Sequence, residues 1–428
     1  MPRTDAVPRI CPRNSTEAAC DHQRHMFDWG LPIKNSVMHA LSLPPPFDPS
    51  FYRGNAPELA HLTDQEALHH FQDEGIAKGY PGSPGSERGH LLSFARSEAS
   101  ILEIGPFHAP SVVGENVRYM DVLTTEELIK AVKEAGHPTS NVPQIHYVAP
   151  TGGFDMVDRQ FSAVFSGHCI EHQPNLIRHL QGVSSVLEDG GRYYIACPDK
   201  RYCFDHYIPA TGISDILVAF HAQHRLHHPR SFIAQRLHGA HNDAYRHWAT
   251  DHGPQRYQNL KSAKNDLFEE LPSDDAYHDV HAWQFTPTSF FRIMTFLYEV
   301  GLIDFAVERI YHTRFGTQEF TAVLRKGWKP STREKTFVEQ TPSQERIIAL
   351  QKARVDSAEE IESLKKFQTM ARAEIEQLAG EKLKADREIE DLHFRLNSLL
   401  ASHSWAVTRP LRRLADFLRG SSANSRPD

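Results

Sequence analysis

Five short apolar runs, at residues 100–104, 117–120, 145–148, 162–166 and 192–196, alternate along the chain with stretches of helical periodicity. That alternation constrains the region to an α/β domain, because neighbouring parallel strands need a long crossover, usually a helix, between them. Two further runs, 305–311 and 319–324, are separated by a turn containing Thr313, Arg314, Phe315 and Gly316. They read as an antiparallel hairpin closing the same sheet. The expected architecture is thus a mostly parallel sheet of seven strands with a C-terminal antiparallel hairpin.

The rest of the chain divides by composition. Residues 1–46 are polar and irregular, end in Pro44-Pro45-Pro46, and read as a disordered leader. Cys11, Cys20, His22 and His25 lie there with a spacing that matches no standard zinc finger. Residues 47–86 form a small helical accessory unit: Thr63 and Glu66 make a capping box, and Gly75 is expected to end that helix. The α/β domain occupies 90–328, with a His-rich insertion at about 202–281, and a polar linker follows at 329–344. From Ile347 to Leu399 the chain keeps a heptad register, with Ile361, Ile375 and Ile389 at a and Leu350, Leu364, Leu378 and Leu392 at d. Residues 345–400 therefore read as a coiled-coil helix joining copies into a homo-oligomer, with a helix lying singly on its own domain as the other reading. Residues 401–420 set Leu411, Leu414, Phe417 and Leu418 against Arg409, Arg412, Arg413 and Arg419. Such a basic amphipathic helix suits peripheral contact with an anionic membrane surface.

Charge and cysteine usage exclude other classes. A net charge of −7 with histidines neutral argues against a nucleic-acid partner. Five sparse cysteines without a CxxC pair fit a reducing cytoplasm.

The chemistry is expected where the first strand ends in the sequence ILEIGPFHAP. Gly105 lets the backbone approach a ligand, and Glu103 is placed to receive a cationic amino group. Sixteen residues after Gly105, Asp121 ends the next strand, where a carboxylate suits a ribose diol. The loop has one glycine and two prolines instead of G-x-G-x-x-G, which disfavours a dinucleotide and hydride chemistry.

Four segments together resemble a class I S-adenosylmethionine-dependent methyltransferase of the methyltransferase-11/23 type. They are LEIGPFHAP, VRYMDV, the stretch FSAVFSGHCIEHQPNLIRHLQGVSSVLEDGGRYYIACPDKRYCFDHY, and AYHDVHAWQFTPTSFFRIM, spread over about 90–328. The resemblance implies a Rossmann-like fold and S-adenosyl-L-methionine as cofactor. Glu103 and Gly105 would hold its methionine end, Asp121 its ribose, and Ser166, Gly167 and His168 would line the cofactor and acceptor side. Two positions depart from the pattern: Ser162 stands where an acid usually opens the fourth strand, and Ala149-Pro150-Thr151 where an acid often meets the adenine.

Methyl transfer is an in-line displacement in which the protein mainly aligns the reactants. A hydroxyl acceptor benefits from a base, and His168, His172 and His281 are the candidates, His172 preferred. His168-Cys169-Ile170-Glu171-His172 also reads as H-x-x-E-H, the inverted zinc-peptidase signature, but that signature needs a helix and this segment follows a strand. Some methyltransferases with a similar loop bind a divalent ion, at positions held here by His168, Glu171 and His172; the expectation is no metal. The insertion's histidines, among them His221, His224, His227, His228, His238, His241, His247 and His252, read as part of a lid over the acceptor pocket. The N-terminal unit and the S-x-SW-x-x-T-x-PLR ending resemble bacterial surface-polysaccharide proteins, implying a saccharide, glycan-linked or other small-molecule acceptor at the inner face of a membrane. The alternative is a non-catalytic methyltransferase-like module that scaffolds partners through its coiled coil.

Overall fold

The structure is a computed structural model and describes residues 43–256, 279–329 and 343–420. It divides into two compact units, Met1–Ile348 and Ala349–Asp428. The first is a Rossmann-like α/β domain. Its seven strands are β1 (Ile101–Ile104), β2 (Val117–Asp121), β3 (Tyr147–Val148), β4 (Phe161–Gly167), β5 (Leu187–Pro198), β6 (Phe305–Tyr311) and β7 (Glu319–Lys326). They form one sheet in the order β3-β2-β1-β4-β5-β7-β6. The first five are parallel, while β7 runs antiparallel to both β5 and β6. All four residues of β1 are buried, as a strand covered on both faces requires.

One apolar layer packs the helices Leu176–Ser185, Ile213–His221 and Pro287–Glu299 on one face, through Leu180, Ile216 and Met294. The other packs Arg88–Arg96 and Thr125–Glu134 on the opposite face, through Leu91, Leu128 and Val132. Strand order reverses between β1 and β4, where chain connections leave to opposite sides, and a crevice opens there beyond the strands' carboxyl ends.

Two local expectations are corrected. The third strand is only Tyr147–Val148, since its register with β2 covers just Met120 and Asp121. The accessory helix has its capping box at Thr63 and Glu66, but it passes Gly75 through a π turn and ends at Gly79, whose φ is +72°. Gly75 is small for a packing reason: a Cβ there would collide with the buried Tyr52 ring. This unit has its own apolar cluster around Tyr52 and Phe71, and it leans on the β6–β7 hairpin. Phe315 N donates to Gly79 O at 2.8 Å, Thr321 Oγ1 to Gly85 O at 2.7 Å, and Tyr311 Oη to Pro44 O at 2.9 Å. The structure thus orders the end of the expected leader at Leu43–Pro46, while Cys11, Cys20, His22 and His25 lie outside the described residues.

The helix Ser343–Ala401 supplies most of the second unit, runs through the heptad segment and is followed by His403–Val407 and Arg409–Gly420. Leu364, Ile375, Leu378, Ile389, Leu392 and Leu399, all at a or d, are each more than half exposed in the single chain. Among the described residues no helix is long and apolar enough to cross a membrane.

Candidate functional site

The crevice holds a cavity of about 470 Å³, within the range of small-molecule sites. One half is built by the first three strand ends. Gly105 follows β1 with φ +67°, a conformation that favours glycine, and its backbone lines the cavity. Phe107, also on the wall, takes φ +47°, which a bulky residue adopts only when its surroundings hold it there. Its ring packs edge-on to His108 and His137, and further along the same loop the Glu103 carboxylate accepts the Ser111 and Val112 amides at 2.7 and 2.9 Å. Glu103 is 2% exposed, and burial raises its carboxyl to about 7 against those two hydrogen bonds. The structure places it as a clamp on the loop, and it is not among the cavity-lining residues.

Asp121 ends β2 on the cavity wall, its carboxylate accepting Leu123 N at 3.1 Å. Burial raises its carboxyl to about 6, more than the Leu123 and Val122 amides can offset. Ala149, Pro150 and Thr151 continue this wall. Ser162, the other departure from the expected pattern, sits at the far end of β4. It exchanges hydrogen bonds with Ser100, its Oγ accepting Ser100 N at 2.9 Å and donating to Ser100 O at 2.9 Å. An acid missing there leaves the cavity untouched.

The other half is built around the exit from β4. Two residues expected on the wall are set back from it. Ser166 is fully buried and hydrogen-bonds Tyr193 Oη at 2.7 Å, which reaches His179 Nε2 at 3.1 Å. Gly167 packs on the Arg88 guanidinium, and neither residue is among those lining the cavity. His168 and His172 do line it. His168 has φ +53°, and its Nε2 lies 2.8 Å from Glu319 Oε2. Burial pushes Glu319 up, but the His168 hydrogen bond and the Arg88 charge outweigh it and hold the carboxyl low. Ile170–His172 is a single 3-10 turn and not an α-helix, so the H-x-x-E-H string lacks the frame of a zinc peptidase.

That turn is fastened by two distant segments. Ala282 N and Trp283 N both donate to Glu171 O, at 2.8 and 3.1 Å, and Trp283 Nε1 donates to Gln173 O at 2.6 Å. From the insertion, His227 Nε2 bonds His172 O at 2.7 Å, and His224, Arg225 and Leu226 cover the cavity. Burial and the His228 charge hold His224 low, favouring a neutral imidazole there. His281 is brought beside Glu171 and Asp205. Burial pulls its imidazole down, yet the Asp205 charge and hydrogen bond together raise it. Sequence reasoning missed Asp205, Asp279 and Glu319, although Asp279 stands two residues from His281 in a segment already singled out.

No known family pattern matches the chain, and no curated protein is similar to it. Among solved structures, the chain is similar to the CcbJ methyltransferase from Streptomyces caelestis, at 12% identity over 57% of this chain and 95% of that one, with a TM-score of 0.30. It is also similar to the mitomycin 7-O-methyltransferase MmcR, at 10% identity over 65% and 60%, with a TM-score of 0.27. The glycopeptide N-methyltransferase MtfA complexed with sinefungin matches at 16% identity over 27% and 54%, with a TM-score of 0.21. Overlap this slight fixes no function; the strand order and the cavity described above are this chain's own.

Proposed function

We propose that the cavity binds S-adenosyl-L-methionine and that the chain transfers the methyl group to a hydroxyl of a saccharide or glycan-linked acceptor. The observation that carries the cofactor is the meeting of Gly105 and Asp121 on one wall, at the reversal of strand order. Asp121 takes the ribose diol, Gly105 admits the methionine end, and Ala149-Pro150 gives the adenine an apolar face. Glu103 keeps the loop in shape from behind.

In the transfer the acceptor oxygen bonds the methyl carbon while the carbon–sulfur bond breaks, and its electron pair stays on sulfur. The protein supplies alignment and a base. His168 suits the base better than His172. Its Nε2–H is held by Glu319, which leaves Nδ1 to take the acceptor's proton. His168 Nδ1 stands 3.9 Å from Glu171 Oε1, whereas both nitrogens of His172 lie nearer to carboxylates, Asp279 at 2.9 Å and Glu171 at 3.6 Å.

The acceptor class is tested by incubating the full chain with methyl-labelled cofactor and surface-glycan extracts. Label in a glycan hydroxyl is expected. Cofactor binding without labelled product in any fraction would favour the non-catalytic scaffold. Pairing of a second copy along the exposed heptad stripe, and contact of the basic last helix with an anionic membrane face, complete this reading. Sedimentation at monomer mass would contradict the first, and failure to float with anionic vesicles the second.

A further inference from the structure

Behind the histidine wall, Glu171, His172 and His281 each bring one ligand atom to within 4.8 Å of the others. Glu171 Oε1 lies 3.6 Å from His172 Nε2 and 3.8 Å from His281 Nε2. Ligands about 2.1 Å from a shared ion stand roughly 3.4 Å apart in tetrahedral positions, so each Glu171–imidazole pair needs to close by only a few tenths of an ångström. Glu171 is 1% exposed, and neither carboxylate oxygen accepts a hydrogen bond. A buried carboxylate without donors is costly unless a cation compensates it.

The outer nitrogens are arranged to match. His281 Nδ1 lies 2.6 Å from Asp205 Oδ2, and His172 Nδ1 lies 2.9 Å from Asp279 Oδ1. The Asp205 carboxylate hydrogen-bonds His281 Nδ1, which fixes that tautomer and leaves its Nε2 lone pair facing inward, as at metal-bound histidines; Asp279 stands beside His172 Nδ1 as a charge neighbour. The backbone bonds from Ala282 and Trp283 to Glu171 O hold the two ligand segments together. Two imidazoles and one carboxylate form a donor set suited to first-row transition ions, while magnesium and calcium prefer all-oxygen shells. His172 and Asp279 line the cavity, so an ion here would stand against its wall.

The insertion offers a second cluster, His206, His247 and His252. Its His206 and His252 rings stack 3.6 Å apart at 12°, so their in-plane lone pairs run side by side and do not converge.

We propose that Glu171, His172 and His281 bind one divalent first-row transition-metal ion, with remaining positions open to an oxygen of a hydroxyl-bearing acceptor. The binding site is independent of the cofactor reading; only the acceptor's role rests on it. The competing occupant is a proton shared between the two imidazoles and Glu171.

The test uses the full chain, stripped with chelator and titrated with Zn²⁺ against a chromophoric competitor in the absence of S-adenosylmethionine. One tight equivalent is expected, with affinity at least 100-fold weaker in Glu171→Gln and unchanged in His206→Gln. Asp205→Asn should weaken binding about 10- to 100-fold through the orientation of His281. If Glu171→Gln fails to fold, the visible spectrum of the wild-type Co²⁺ form decides, because intense bands require a low-coordinate site with nitrogen donors. Absence of a tight equivalent, loss of it in His206→Gln, or a Co²⁺ spectrum like that of the aqueous ion would each overturn the proposal. Retained zinc without cofactor binding would sink the methyltransferase reading alone.

Discussion

The two halves of the cavity are built by different means. At the strand-end half, Gly105 and Asp121 come from adjacent parallel strands, and their positions follow from the β1–β2 register, which pairs Ile104 with Met120. At the histidine half, residues 168–172 are fixed by contacts with His227, the segment 279–283 and Glu319, which come from far along the chain. The first half presents a carboxylate and backbone to a ligand; the second pairs imidazoles with carboxylates. On the proposed reading, recognition chemistry sits on the regular scaffold, and proton or cation chemistry on the part held by tertiary contacts.

That division can be broken by experiment. The largest effect is expected from His168→Gln, which removes the proposed base: turnover should fall about 100-fold or more while cofactor affinity stays unchanged. A parallel loss of affinity would show that the halves are not separate. Asp121→Ala removes the proposed hydrogen-bond acceptor for the ribose, and calorimetry should show affinity reduced about 30- to 100-fold, the loss of one net bond to a charged group. Unchanged affinity would overturn the ribose assignment.

A smaller effect comes from pH. The Asp121 carboxyl is raised to about 6, and its ionised form is the better acceptor for two hydroxyls. Cofactor affinity should hold above pH 7 and decline as pH falls through about 6, by roughly tenfold for one unit below, with the step absent in Asp121→Asn. A flat profile would contradict the role given to that carboxylate.

The same division explains what could be read from the chain itself. The strand-end half was legible, because apolar runs reveal strands and the residues ending them are local to those runs. In sequence Glu103 reads as a ligand-facing carboxylate; only the fold reveals that the Ser111 and Val112 amides occupy it. The resemblance puts Ser166 and Gly167 on the wall, at the end of β4. Which way a strand residue faces depends on the pleat, and Ser166 points inward to Tyr193. Asp205 and Glu319 carried no local signal, since their importance comes from meeting His281 and His168 across 76 and 151 residues. The long charged helix was the easiest element to read, as its seven-residue period needs no tertiary information.

The central claim is that the cavity at the reversal of strand order is a cofactor site. Titration of the full chain with S-adenosyl-L-methionine in a calorimeter, alongside a thermal melt, tests it most directly. The account predicts saturable heat with one equivalent and a raised melting temperature. No heat and no thermal shift at millimolar cofactor would contradict it.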